Sequence, residues 1–475
     1  MAHKRASSSA TSPSASTPDL SVDGDLADER IIPYDGPSIV RHRARFLRSP
    51  SPSSASMSIP ATPVTPSVSL RKPIVIASSL IKGPIDKPWL ERKERFAWAP
   101  RYLFLAMVFL GVAGAAAQIF FGYKSVPRLG NVCLVLDEEF SGDKLDTSVW
   151  TREVSLGGWG NGQFEWTTAD EANSRVENGV LYITPTLTEE VIGYDAVFNG
   201  YNLTLSDCTA NNATECNRYS NETANTVINP VRSARLTTKT SKSIKYGRVE
   251  VKARMPRGDW LWPAIWMMPV SDFYGPWPRS GEIDIIEARG NDPDAYKGMG
   301  SDYLTSTVHW GPAPLMDGFW KTTGWWNDKH ISFDQSFHTY GLEWNENFLW
   351  TYVDSRVNRI FKLSFSEKKP FFDRGHYPDV IFNGTQMQRL DNPWAGSASP
   401  GVAPFDQEFY LILDVAVGGT NGWFPDGKGK KPWVNGASQA MKDFARAKDQ
   451  WYPTWPTDLK SRSLAVESVK MWQQC

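Results

Sequence analysis

Metal-binding spacings are the first thing this chain lacks. Its 475 residues hold four cysteines and six histidines. There is no Cys-X-X-Cys pair, and His309, His330, His338 and His376 are scattered, which excludes a zinc site of the usual spacing. A phosphate loop is also missing. The glycine-rich run Gly157-Gly158-Trp159-Gly160-Asn161-Gly162 has no Lys-Ser/Thr after it and reads as a tight turn. Charge of one sign is not in excess: 51 Lys and Arg face 52 Asp and Glu, for a net charge of −1 and a pI near 6.6. That removes any global electrostatic case for a nucleic-acid partner. No internal repeat is visible. Helical periodicity is weak outside Gln439–Gln450, so the globular part reads as all-β.

The averages hide a sharp change along the chain. Residues 1–100 are rich in Ser, Pro and Thr, with runs such as Ser49-Pro50-Ser51-Pro52-Ser53-Ser54. Such a stretch cannot bury a core and is expected to be a disordered tail. Arg41, Arg43, Arg45 and Arg48 make it locally basic.

Tyr102 to Phe121 is almost wholly apolar, with Gln118 its one polar side chain. Twenty helical residues span about 30 Å, the thickness of a bilayer's hydrocarbon core. The run is apolar all round, which argues against a soluble core helix. About 100 residues precede it, which argues against a cleaved signal peptide. Residues 101–123 are therefore expected to form a single transmembrane signal-anchor helix. Its N-terminal flank carries Lys87, Arg92, Lys93, Arg95 and Arg101, whereas Lys124 and Arg128 are the near cations on the other side. The positive-inside rule then predicts a type II protein, tail in the cytosol and residues 124–475 in the lumen or outside. The sequons at Asn202, Asn212, Asn221 and Asn383 all follow the apolar run and agree with lumenal exposure and glycosylation.

All four cysteines also follow it. Cys208 and Cys216 lie in a polar, sequon-rich stretch that suits a local disulfide clip. Cys133 opens the globular part and Cys475 closes the chain, so a bridge between them would tie the two ends together. Nineteen of the 21 tryptophans fall in residues 124–475, a length sufficient for one large domain. Arg248–Met255, Thr307–Trp310, Phe348–Val353, Phe409–Val417 and Leu464–Trp472 read as strands between Gly- and Pro-rich turns. Trp344, Trp350 and Trp472, in these alternating strands, are assigned to the core.

The most telling stretch is Ser280-Gly281-Glu282-Ile283-Asp284-Ile285-Ile286-Glu287-Ala288. Its alternation predicts a strand with Glu282 and Asp284 on one face. Strict alternation puts Glu287 on the other face. A β-bulge at Ile285–Ile286 would return it to theirs. Three like charges on one face repel and desolvate one another, so a fold gains no stability from them. Two carboxylates flanking a sugar bond can serve as nucleophile and acid/base.

This run resembles the active-site signature of glycoside hydrolase family 16 in its bulged, laminarinase-like form. The likeness continues, in order, over about residues 133–475. Gly247–Pro256, Trp262–Pro269, Ser306–Gly311, Tyr340–Trp344, Pro404–Leu413 and Val415–Gly419 all match in kind. Pro230–Leu236 and Glu287–Asn291 point to the β-1,3-glucanase and β-1,3-glucan-recognition-protein branch. The resemblance implies an all-β, two-sheet β-jelly roll of concanavalin A type, with a substrate cleft on the concave sheet. It also implies retaining hydrolysis of β-glucans.

By that resemblance Glu282 matches the nucleophile, Glu287 the general acid/base, and Asp284 the carboxylate that supports the nucleophile's charge state. Trp262, Trp266, Trp277 and Trp423 match aromatics along the cleft, with Trp277 ranked first and Trp262 last. His309 matches a cleft histidine, and Asn161 is a weaker candidate from the glycine-rich turn. No cofactor is implied. Some relatives carry a structural calcium held partly by an Asp in the last strand, but Glu467 stands at the nearest position here. The expected partner is a β-glucan polysaccharide, with the membrane reached through one helix. The recognition-protein branch typically loses its catalytic carboxylates, whereas all three are present, which favours an endo-β-1,3-glucanase, with mixed β-1,3/1,4 chains as a further substrate left open. Two alternatives stand: a wall-remodelling glucan transglycosylase, or a glucan-binding protein without catalysis.

Overall fold

The computed structural model describes residues 79–475, except 81, 92–94, 97, 367, 383 and 384. The tail through residue 78, Arg92 and Lys93 of the basic flank, and the sequon Asn383 lie outside the described residues. Residues 79–94 contain a four-residue helix, Pro88–Glu91. From Arg95 onward the chain forms a second unit.

That unit opens with the helix Ala99–Ser125, 27 residues long with none buried. It is long and apolar enough to cross a membrane, with a mean hydropathy of 2.2 over its most apolar stretch. It overruns the expected 101–123 at both ends, so a domain boundary at 124 falls inside the helix. The first strand, Val132–Glu138, begins seven residues after the helix ends.

Two eight-stranded antiparallel sheets make a β-sandwich of the jelly-roll type. The site-bearing sheet is built from β1 (Arg235–Thr237), β2 (Leu261–Pro269), β3 (Glu282–Ala288), β4 (Tyr303–His309), β5 (Thr323–Asn327) and β6 (Phe409–Val417). Their order is β5-β4-β3-β2-β6-β1, with Thr151–Arg152 beyond β1 and Ser243–Ile244 on β6. The opposing sheet includes Gly247–Arg254, His338–Trp344, Phe348–Val353, Ser355–Ser364 and Leu464–Gln474. The long strands alternate one inward and one outward residue, and the inward sets meet as one core. Ile283, Ile286, Ile265 and Leu413, on neighbouring strands of the site-bearing sheet, are fully buried in it.

The bulge predicted at Ile285–Ile286 is present. Asp284 pairs with Thr307 and Glu287 with Thr305, so two residues of β3 oppose Ser306 alone. The same slip appears against β2, between Ile265 and Trp266. A bulge leaves ladder groups unpaired, and here a side chain takes one up. Ser306 Oγ donates to the Asp284 carbonyl at 2.8 Å, and Thr351 Oγ1, from the opposing sheet, reaches Ser306 Oγ at 2.8 Å. Both hydroxyls are fully buried.

The expected helix Gln439–Gln450 divides into Ala440–Arg446 and Lys448–Trp451. Trp344 is in the core and Trp350 is buried in a small cluster with Phe348 and Tyr352. Trp472 is a correction. It is half-buried on the strand face opposite Met471, with the Arg248 guanidinium 5.8 Å from its ring. Gly418, at the end of β6, has φ +61, and a Cβ there would meet the Phe164 ring at 2.3 Å. A side chain is therefore excluded at the point where β6 turns toward the rim.

Both expected disulfides are formed, Cys133–Cys475 and Cys208–Cys216. Cys133 and Cys475 lie at the ends of two paired strands, where Cys133 faces Gln473. The short bridge clips the hairpin Asn199–Thr204/Asn217–Asn221. Asn202 and Asn212 are exposed, and Asn221 is half-buried, its Oδ1 accepting from the Thr223 and Ala224 amides. The Cys133–Cys475 bridge closes a span of 342 residues. Cys475→Ser is expected to lower stability by about 2–4 kcal/mol, chiefly by freeing the unfolded chain. Chemical denaturation without reductant checks this, and an unchanged midpoint would mean the bridge adds nothing.

Candidate active site

Alternation and the bulge together direct Glu282, Asp284 and Glu287 to the sheet face away from the core. Each carboxyl has its own partner. Trp277 Nε1 donates to Glu282 Oε2 at 2.5 Å. Trp262 Nε1 donates to Glu287 Oε1 at 3.0 Å. Asp284 Oδ2 lies 3.2 Å from His309 Nε2, and His309 Nδ1 lies 2.5 Å from Asp317 Oδ2.

Burial raises all three carboxyls, because a charge taken out of water favours its neutral form. Glu287 is pushed up to about 8, first by desolvation and then by the Asp284 charge. Asp284 is pushed to about 7 by desolvation and then by Glu282. Glu282 is also raised by desolvation, but His309 and the Trp277 N–H oppose the rise. His309 itself would be lowered by burial, but Glu282, Asp284 and Asp317 outweigh that and hold it well above its ordinary value. Glu282 is thus the carboxyl whose ionised form is helped by His309 and the Trp277 N–H, and Glu287 the one whose protonated form is helped by desolvation and the Asp284 charge. The first can attack an electron-poor carbon, and the second can protonate a leaving oxygen.

The aromatics expected along the cleft are all nearby. Trp262 is buried and stacks on Trp423, with centroids 4.9 Å apart and planes within 12°. The Arg289 guanidinium lies 3.8 Å from the Trp423 ring and donates to its carbonyl. Trp277 is 37 % exposed, enough to present a ring edge while its N–H holds Glu282. Trp262 and Trp277 both donate to a carboxylate, and Trp277 is the more exposed of the two. Trp266 donates to Asp414 Oδ1 at 2.9 Å. Asn161 accepts from Asn421 Nδ2 at 3.1 Å, and its carbonyl accepts from Thr420, which ties the glycine-rich turn to the loop after β6. Gly158, Trp159, Gly160 and Gly162 in that turn all have positive φ.

Sequence reasoning missed two neighbours of the site, Asp317 and Arg235. Asp317 orients His309 from a loop after β4, and no spacing signals it. Arg235 pairs with Glu153 at 2.6 Å and lies between the rings of Trp159 and Trp266, at 4.0 and 4.5 Å. It stands in the quoted Pro230–Leu236 stretch, yet its role needs the fold. Glu467, at the position considered for calcium, is paired with Lys252 Nζ at 2.6 Å. A cation there would have to displace that ammonium, so the residue does not fit the role. Glu282, Asp284 and His309 could by geometry converge on a metal ion.

Residues 204–388 match the family described as Glycosyl hydrolases family 16. A β-1,3-glucan-binding protein of Penaeus monodon is 39 % identical over 351 residues, covering 72 % of this chain and 90 % of its own length. A glucan endo-1,3-beta-glucosidase of Cryptopygus antarcticus is 32 % identical over 284 residues, covering 60 % of this chain and 79 % of that one. The laminarinase from Rhodothermus marinus is 25 % identical, with a TM-score of 0.45 over 73 % of this chain and all of that structure. A bulged carboxylate strand on a jelly-roll sheet defines a glycosidase-type scaffold. This chain belongs to glycosyl hydrolase family 16.

Another buried acid lies against the end of β6. Glu165 accepts the Val417 N–H at 2.8 Å, its Oε1 has no partner, and desolvation pushes it from 4.5 to about 8. The folded state binds this proton where the unfolded chain has released it. The stability contribution is thus full below pH 4.5 and lost as pH rises through about 8. Melting temperature is expected to fall over that window. Glu165→Gln is expected to flatten the fall and raise the melting point at the alkaline end. A pH series of thermal melts checks both.

Proposed function

We propose that residues 124–475 form a retaining endo-β-1,3-glucanase that works by double displacement. The observation that carries the reading is the intact set Glu282, Asp284 and Glu287 on one bulged strand, with Glu287 held protonated near neutral pH. Glu287 donates its proton to the glycosidic oxygen as Glu282 attacks the anomeric carbon. The bond to the leaving sugar breaks and a covalent glycosyl-enzyme forms. Glu287, now ionised, takes a proton from water, which displaces Glu282 and restores both groups. His309 and the Trp277 N–H favour the ionised form of Glu282, and His309 is fixed by Asp317. Trp277 and Trp423 offer apolar surface to sugar rings, whose C–H faces stack on indole, while Trp262 backs Trp423 and holds Glu287.

A second reading is glucan binding without turnover, supported by the likeness to the β-1,3-glucan-binding protein of Penaeus monodon. Transfer to another sugar in place of water uses the same covalent intermediate. The helix Ala99–Ser125 suits a signal anchor, and the two disulfides suit a lumenal or extracellular domain.

Proton NMR of the first products from laminarin is expected to show the β-anomer, and an initial α-anomer would exclude double displacement. Glu282→Ala is expected to be rescued by azide with inversion. Glu287→Ala is expected to be rescued with retention, on a substrate with a good leaving group. Swapped outcomes would reverse the two roles, and no cleavage by the parent chain would favour binding alone.

Topology has its own test. Protease added to sealed secretory vesicles is expected to remove the N-terminal tail alone. Protection of the tail with digestion of the rest would reverse the orientation.

A further inference from the structure

The outermost strand of the site-bearing sheet carries an aromatic pair that the carboxylates do not use. Trp325, on β5, is 61 % exposed, while its neighbour Trp326 turns the other way and packs on the core. Gly324, also on the inner side, is pressed against Ile360 and Phe361 of the opposing sheet. Trp325 therefore faces the same side as the three carboxylates.

Register fixes its place on that face. Glu287 pairs with Thr305, and Thr305 pairs with Trp325. Two strand spacings put the Trp325 Cα about 10 Å from that of Glu287. That is too far to touch the sugar under attack and near enough to touch one further along. Tyr303, on β4, stacks on Trp325 with centroids 5.7 Å apart and planes within 16°. Thr305, Thr307 and Thr323 line the floor beside the pair, the last two with hydroxyls 3.1 Å apart. Lone exposed apolar side chains are ordinary. This pair differs in being flat, stacked, in line with the acid/base and bordered by hydroxyls. Those are the features that bind a pyranose: an apolar C–H face on an aromatic plane and hydroxyl groups at its edge.

We propose that Trp325 and Tyr303 form a further sugar platform, across β3 from Trp262 and Trp423, that holds a glucan residue beyond those flanking the cleaved bond. The proposal rests on reading the cleft as a β-1,3-glucan site. It makes chain length a determinant of recognition, because a disaccharide held across the carboxylates does not reach β5.

The test uses the full chain in detergent, carrying Glu282→Gln so that binding is read without turnover. Titration calorimetry compares it with the same chain carrying Trp325→Ala, using laminari-oligosaccharides of rising length. Loss of the platform is expected to weaken binding of the hexasaccharide and longer chains about fivefold, the scale of one lost stacking surface. Binding of the disaccharide is expected to stay unchanged, and Trp325→Phe to restore most of the loss. Equal affinities for parent and Trp325→Ala at every length would overturn the platform and leave hydrolysis standing. A chain that binds glucan with this length dependence yet cleaves nothing in its unmutated form would remove hydrolysis and support the platform. A parent that binds no oligosaccharide of any length would overturn both. The exposure of Trp325 makes misfolding of the variant checkable by an unchanged circular dichroism spectrum.

Discussion

One extra residue in β3 organises the site. Without the bulge, the strand that puts Glu282 and Asp284 outward would put Glu287 into the core among isoleucines. A carboxyl buried there without a partner would cost several kcal/mol. With it, Glu287 returns to the outer face and finds the Trp262 N–H, while Ile283 and Ile286 stay in the core. The irregularity is stabilised from beneath. Ser306 satisfies the Asp284 carbonyl, and Thr351 reaches across from the opposing sheet to hold Ser306. The two layers are thus linked by hydrogen bonds at the place where the ladder is broken.

The electrostatics follow from that placement. Three carboxyls close together cannot all ionise at modest cost. The surroundings divide them unequally. Glu282 has an indole donor and the nearby His309, and Asp284 lies against His309, itself fixed by Asp317. Glu287 has the Trp262 donor, the Asp284 charge beside it, and His309 and Arg289 as more distant cations. The group with the weakest compensation keeps its proton. The sheet spends stability on this arrangement, and the large shared core and the bridge between the chain ends offset it.

The rim is assembled from distant parts of the chain. The turn Gly157–Gly162 meets the loop after β6 through Asn161, Thr420 and Asn421. The disulfide-clipped hairpin supports the same turn from behind, where the Glu215 carbonyl accepts the Leu156 amide and Ser155 Oγ reaches Glu215. Positive φ at Gly158, Gly160 and Gly162 lets the turn lie close against these neighbours.

The sequence by itself determined the local matters. Alternation gave the strands their faces, and the misfit of Glu287 with that alternation required the bulge. The unbroken apolar run required a long helix with no polar side, and the cysteine positions allowed the two bridges. These are all short-range: a period of two, a run of one polarity, a pair at the chain ends. Tertiary structure decided what needs several strands at once. Asp317 has no signal because it meets His309 only after a loop returns. Arg235 gains its place between Trp159 and Trp266 from separate strands and turns. Trp472 shares the strand pattern of core tryptophans, but its side faces outward, a matter of which sheet face is covered. Trp325 looks like any other aromatic in the sequence. It joins the row of Glu287 only because two ladders of backbone hydrogen bonds put Glu287, Thr305 and Trp325 side by side.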